Sequence, residues 1–448
     1  MKNNFFYLLL ALSLFAQSEN ATLTVYKDGT ALIKQPASWS IPSGYSTITW
    51  DNLPDGIHRD TPFLNLKSVD IISQRFNESV FSTTDYFNSL RGENIQVKPK
   101  DGKVAKGILL ELNSKVITMM HNSGIMSFNR SELEYIGSKN KEIELPNIKP
   151  YLSWDLASQS KKNVEGELVY KSSNFSWTTV YRLKMINESK GELIAEAVIT
   201  NNSDMLYSDT KLHLVEGNLN KINIERPRPD RINRATPMQA QNEIMPKMGK
   251  DELGDYHIYS LNDKHDLGAR ESITVRMYGP LEVGYNKKYV FENSERRQKE
   301  EPMEVQLTLE NTESNGLGIS LPGGKVEMYS YLSSTGLEYI GADRMGQVPK
   351  GQSTKLTSGR AFDVIGNRKV LNYDRQRKSE EAVIEIKVTN ARNEAVDVLL
   401  IEHINGDWII KDESLNYQKK NASTIHFPLS VQSGETKSVY YTYRKEWK

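Results

Sequence analysis

One stretch has nearly the spacing of a phosphate-binding loop: "GQVPKGQST", Gly346 to Thr354. Gly346, four residues and then Gly351 fit that loop, but Gln352 stands where it needs Lys. A phosphate loop leaves a buried strand and opens a helix, whose N-terminal amides hold the phosphates while the Lys meets their charge. Here Pro349 removes one amide, and the following "TKLTSGRAFDVI" alternates as strands do, with Gly359 against a helix. Val348-Pro349-Lys350-Gly351 instead has Pro at the second place and Gly at the fourth place of a type I turn. A hairpin turn is expected.

Other chemistries find no support in spacing. His58, His121, His213, His257, His265, His403 and His426 contain no H-E-x-x-H and no other short metal spacing, so metal ligands would have to come from distant strands. The chain has no cysteine, which forbids disulfides, zinc thiolates and cysteine nucleophiles. Ser138 with Lys141 and Ser158 with Lys161 match S-x-x-K, without the partner motifs S-D-N and K-T-G. A glycosidase needs two carboxylates at a set distance, and 57 acidic residues neither propose nor exclude a pair. Trp39, Trp50, Trp154, Trp177, Trp408 and Trp447 suit sugar stacking or the filling of cores. No catalytic residue, cofactor or metal is therefore assigned.

One cluster suits recognition. Arg226, Arg228, Arg231 and Arg234 fall within nine residues, with Pro227 and Pro229 between them. They lie in 225–255, which has four prolines, many charges and no periodicity. This is expected to be a long exposed loop, mobile or disordered. Its arginines offer bidentate contacts to an acidic partner such as an anionic envelope glycan, or the segment is a solvated insertion and no more.

The elements that must position such residues are strands. Val, Ile, Tyr, Thr and Ser recur in short alternating runs, and no long stretch has a period of 3.6. A chain of 448 residues suggests several domains. Lys plus Arg and Asp plus Glu are both 57, so no long-range field draws the chain to nucleic acid or an anionic membrane. Lys2 precedes a 12-residue apolar run, Phe5 to Ala16, too short to span a bilayer but suited to a signal peptide cleaved after Ser18. Without cysteine there is no lipid anchor of that kind, and no later run is long enough for a transmembrane segment. The mature chain is expected to be exported, periplasmic or extracellular.

Five ranges follow: a signal peptide at 1–18, an N-terminal β region at 19–80, a small Sm- or SH3-like barrel at 84–140, a β-sandwich at 151–290 carrying the loop 225–255, and a C-terminal β-sandwich at 303–448. In the first, "TLTVYKDGTALIKQ" reads as strand, a turn at Lys27-Asp28-Gly29, and strand. In the barrel range a helix is expected near Asp85 to Arg91 and helical turns near Ser131 to Tyr135, among about five short strands bounded by turn residues. In the last, Ile384, Ile386 and Val388 should face inward, and Glu385, Lys387 and Thr389 outward. "AVITNN", "LTLENT" and "IKVTNA" form a weak repeat in which Asn201, Asn311 and Asn390 would open turns, since Asn tolerates left-handed dihedrals and bonds its own backbone. The fold class expected is mostly β and multi-domain, with immunoglobulin-like sandwiches and helix below about 15 %.

A family resemblance rests on an ordered set of stretches. "LPGGKVEMY" (Leu321 to Tyr329), "IGADRMGQVPKG" (Ile340 to Gly351), "SGRAFDVIGNRK" (Ser358 to Lys369), "VTN" (Val388 to Asn390) and Trp408 resemble, in order, the bacterial domain of unknown function 4139. "LSWDL", "FSWTTVYRL" and "LHLVEGNLN" upstream look like the same family's earlier strands, so the similarity covers Tyr151 to the C-terminus. The resemblance implies an exported, mostly-β protein and no activity. Some relatives are labelled mucoidy inhibitors, a hint of envelope polysaccharide that carries no residue over.

Three functions from different classes fit. The first is a non-enzymatic envelope protein that binds or scaffolds a protein or glycan. The second is a hydrolase of envelope polysaccharide or peptide with a site assembled between domains. The third is RNA binding by the small barrel; its Arg91 to His121 segment has six basic and three acidic residues but no interleaved aromatics, and export also speaks against nucleic acid.

Overall fold

The computed structural model describes residues 16–67, 69–78, 80–138, 148–217, 252–253, 256–332 and 334–447. Strand makes up about 70 % and helix 3 %, so the protein is mostly β and multi-domain. Two units divide it: 34–171 and 204–207 with the residues before 22, and 22–33, 172–203 and the residues from 208 onward. No helix among the described residues is long and apolar enough to cross a membrane.

In the first unit, Gly44–Trp50, Tyr151–Ser158 and Asp70–Asn77 form a three-stranded antiparallel sheet with Tyr151–Ser158 in the middle. The two-residue period sends Leu152, Trp154 and Leu156 inward, where all three are fully buried. Trp39 packs edge-on against both Trp50 and Trp154, with ring centres 5.8 and 6.1 Å apart. Trp154 donates to Gln74 Oε1 at 2.7 Å, which satisfies its one buried donor.

The 84–140 range holds a short helix, Thr83–Ser89, then five antiparallel strands in the order of a small SH3-like barrel, with the last beside the first. Ser82 caps the helix by accepting from the Asp85 amide at 3.3 Å, which satisfies one of its free N–H groups. Phe87 carries the helix into a core of Ile95, Val97, Leu109, Leu112, Ile117 and Met119. Gly107 is required there: a Cβ would come within 2.2 Å of the Met120 carbonyl. The expected helical turns near Ser131 are the 3₁₀ turn Arg130–Glu132.

Thirteen strands of the second unit are joined in one hydrogen-bonded set around two cores. One core contains Tyr181, Leu183, Val283, Tyr285, Leu309 and Met328. The other contains Phe291, Ile384, Ile386, Val388, Phe427 and Tyr441. The strand Glu271–Ser294 serves both. Up to Gly284 it pairs with Lys190–Asn201, and from Tyr285 it pairs with Lys299–Glu310 and then Val396–His403.

Ile384, Ile386 and Val388 face inward as their alternation predicts. Glu385 does not reach open solvent: it is 7 % exposed because the Tyr440 hydroxyl donates to its carboxylate at 2.5 Å and Lys387 stands 3.4 Å away. The three repeat asparagines close their strands, and two bond their own backbone as expected: Asn201 Oδ1 accepts from the Ser203 amide and Asn390 Oδ1 from the Arg392 amide. None has positive φ, and all are buried. Asn311 Nδ2 donates to the carbonyls of Ile319, Val348 and Pro349, and Asn390 Nδ2 donates to those of Glu394, Val431 and Gln432. Asn201 Nδ2 donates to the Gly268 carbonyl while its Oδ1 accepts from the Ser203 amide. Each side chain ties a loop to a neighbouring strand.

Candidate functional site

The centre with the most converging chemistry lies in the second unit. Thr22–Tyr26 runs parallel to Lys211–Val215, with Tyr26 opposite Val215, and this register brings Lys27 beside Glu216. The turn that aims Lys27 is the one expected from Lys27-Asp28-Gly29. Asp28 Oδ1 accepts from the Thr30 amide at 3.0 Å, and Gly29 takes φ +88°.

Lys27 Nζ lies 3.2 Å from Glu216 Oε2, 3.3 Å from the Gly323 carbonyl and 3.7 Å from the centre of the Trp177 ring. These three contacts match the three donors of an ammonium group. The other carboxylate oxygen of Glu216 accepts from Gln347 Nε2 at 2.9 Å. Trp177 donates to the Val215 carbonyl at 3.3 Å, and Tyr181 donates to that of Pro322 at 2.8 Å. Tyr259 meets the Trp177 ring edge-on at 6.1 Å, and Tyr278 follows at 6.4 Å.

Burial governs the electrostatics. It lowers the Lys27 ammonium from its ordinary range, and the neighbouring Glu216 charge works in the opposite direction. It also pushes the Tyr181 and Tyr259 phenols up and Tyr278 up to about 12. At neutral pH these phenols are therefore uncharged walls around one ion pair. Glu216 Oε1 is held by Gln347 while Oε2 faces Lys27 by charge alone, so the cluster acts as a clamp.

Four of the stretches that carry the family resemblance meet at this point. Trp177 and Tyr181 come from "FSWTTVYRL", Glu216 from "LHLVEGNLN", Pro322 and Gly323 from "LPGGKVEMY", and Gln347 from "IGADRMGQVPKG". Sequence reasoning passed over Lys27, Glu216 and Gln347. A charge at the end of the apolar run "LHLVE" was the available signal, but its partner is far away in the chain.

The residues singled out from spacing lie elsewhere. Arg226, Arg228, Arg231 and Arg234 fall outside the described residues, as does most of 225–255; its Glu252–Leu253 pairs with Tyr256 and His257. Residues 346–352 do turn, but one place later than expected. The Gln352 amide bonds the Pro349 carbonyl at 3.1 Å, and Gly351 sits third with φ +82°. That is the positive dihedral of a type II turn rather than type I. Strand Ser353–Arg375 follows, so no helix N-terminus faces the turn.

Ser138 shares a hydrogen bond of 2.7 Å with the Tyr86 hydroxyl, and Ser158 donates to the Ser160 carbonyl at 2.8 Å, both bonds within the fold. Lys141 lies outside the described residues. His403 bonds Glu292 at 2.5 Å and Thr424 at 3.1 Å. Among the described residues no group of three His, Asp or Glu could hold a metal ion. Compared with known proteins, the chain matches no protein-family model and no curated protein.

Proposed function

We propose that this chain is an exported, non-catalytic binding or scaffold module of the cell envelope that takes a protein or glycan partner. The apolar run Phe5 to Ala16 supports export, and the ordered stretches from Tyr151 onward support kinship with the domain of unknown function 4139 family.

The observation that carries the non-catalytic reading is the closure of deeply placed charges on one another. Lys27 is spent on Glu216, Arg368 on Glu402, and Lys445 on Glu295 and Glu380. Catalytic acids, bases and nucleophiles need a free valence and a shifted proton affinity in a cleft. Each of these charges faces an opposite charge, and Arg368 and Glu402 are closed off from solvent altogether.

The hydrolase alternative retains one observation. A hollow of about 520 Å³ in the first unit is lined by Asp51, Asp55, Asp204 and Glu78 beside Phe76 and Pro54. Its volume is that of a ligand pocket. The test is to incubate the purified mature chain with envelope polysaccharide and envelope peptide while following new reducing ends and new amines. No release is expected. Release that Asp204→Asn or Asp51→Asn abolishes would establish the hydrolase instead.

A further inference from the structure

We infer that the groove beside Trp408 and Trp447, in the second unit, binds an acidic oligosaccharide through its carboxylates. The inference rests on the binding-module reading above and names the ligand class.

The groove consists of two adjoining hollows of about 370 and 280 Å³ that share Gly406, Asp407 and Glu446 in their walls. Their positions follow from strand pairing. Trp408 opens the strand Trp408–Lys411, which pairs with Thr436–Glu446, and Trp447 is the next residue after that partner. Both indoles are fixed by their ring N–H. Trp408 donates to the Ala422 carbonyl at 2.8 Å, and Trp447 donates to that of Arg377 at 3.2 Å.

Charge separates this groove from the closed pairs elsewhere. Within its walls Lys445 is consumed by Glu295 and Glu380, and Arg444 by Glu446. Three cations remain. Arg296, Arg375 and Lys419 line the hollows and form no ion pair among the described residues. Arg375 rests 5.9 Å from the Trp447 ring and Lys419 4.4 Å from that of Trp408, while Arg296, 5.3 Å from the Tyr373 ring, also donates to its hydroxyl at 3.1 Å and feels the Glu380 charge. Against them stands Asp407 without an ion pair, and Lys445 alone answers two carboxylates, so the walls hold five cations to four carboxylates.

A cation paired only with a ring is placed but not neutralised, and a guanidinium fork accepts a carboxylate with two parallel hydrogen bonds. Trp447 is exposed and presents its ring together with Arg375, while Trp408 packs against the core. A uronic acid offers the matching pair, a carboxylate on the rim of a ring whose faces are C–H. A glutamate-rich peptide carries its carboxylates on flexible alkyl stems with no flat face. Nucleic acid is disfavoured because the chain has no net positive charge with which to meet a dense phosphate backbone.

The test is calorimetric titration of the mature protein with hexagalacturonate, with cellohexaose as the neutral sugar and hexaglutamate as the acidic peptide. Hexagalacturonate should bind and weaken as salt rises, and cellohexaose and hexaglutamate should not match it. Arg375→Gln, Lys419→Gln and Trp447→Ala should each weaken binding about tenfold, the scale of one charge-assisted hydrogen bond or one stacked ring, with melting temperatures near that of the parent. The inference fails if the parent binds no hexagalacturonate, if hexaglutamate or cellohexaose binds as well, or if all three variants bind like the parent. In that last case the glycan sits elsewhere and the binding-module reading survives. Cleavage of hexagalacturonate would instead sink that reading, even if the groove variants lose affinity.

Discussion

Arg368 and Glu402 meet at 2.8 Å with no part of either side chain open to solvent. Arg368 Nε also donates to both oxygens of Glu402 at 3.2 and 2.9 Å, and a further guanidinium nitrogen donates to the Arg297 carbonyl at 2.5 Å. The Tyr441 hydroxyl donates to the same carboxylate. A charge so enclosed is tolerable only while its partner is present. Arg368→Met should therefore cost about 3–5 kcal/mol in urea denaturation, by leaving Glu402 buried and unpaired. Arg368→Met with Glu402→Leu should regain most of that loss. A single variant as stable as the parent would contradict this.

Lys27 and Glu216 obey the same rule in a wetter place, since a quarter of the Lys27 side chain is exposed. Glu216→Gln keeps the shape but removes the counter-charge, and should cost about 2 kcal/mol, less than a fully buried pair. Lys27→Met should also alter the emission of Trp177, whose ring loses the ammonium above it. Equal stability and equal emission in both variants would show that the clamp holds nothing.

Asn311→Ala and Asn390→Ala each remove a side-chain amide that serves three carbonyls, of which Val348, Pro349 and Gln432 keep backbone donors. Each should lose about 1–3 kcal/mol, near the cost of leaving one buried acceptor unmet. Asn→Asp at either place should do no better, because a carboxylate cannot donate to a carbonyl. Chemical denaturation of the four variants decides it.

Asp155 stands on the open face of the three-stranded sheet. The hydroxyls of Ser73 and Thr47 and the guanidinium of Arg75 hold its carboxyl below the usual range. A depressed carboxyl contributes stability that is fully present above its unfolded value and is lost as pH falls through its folded one. The affected window therefore lies at and below the ordinary Asp range. Ser73→Ala, which removes the largest of the three influences, should raise the Asp155 midpoint in a carbon-detected NMR titration. An unchanged midpoint would refute the assignment.

Legibility followed the range of each interaction. Features set by neighbours along the chain were readable: the turn at Asp28-Gly29, the helix at Thr83–Ser89, the inward row of Ile384, Ile386 and Val388, and the predominance of strands. Pro349 and Gly351 announced a turn, but its placement depended on the bond from the Gly351 amide to the Asn311 carbonyl, forty residues away in sequence, and slipped by one. Features set by distant pairing were not readable. Nothing near Lys27 points to Glu216, and nothing near Arg368 points to Glu402. The same limit concealed the groove, since Arg375, Lys419 and Trp447 acquire a common purpose only when three strand ends are brought together. Glu385 shows the limit at its smallest: alternation chose its face correctly, while the cover over that face came from Tyr440 on another strand.

The strand Glu271–Ser294 has a mechanical consequence. Because one unbroken strand supplies Val283 and Tyr285 to one core and Tyr289 and Phe291 to the other, the two cores share a tie rod. At the crossing, the Asn315 amide group grips Gly284 from both sides: its Oδ1 accepts from the Gly284 N–H at 2.8 Å, and its Nδ2 donates to the Gly284 carbonyl at 2.9 Å. A pull along this strand loads its ladder bonds in shear, all at once, instead of peeling them one by one. Neither core can slacken without drawing on the other, so the whole span should yield as a single element, as two beads on a flexible thread would not.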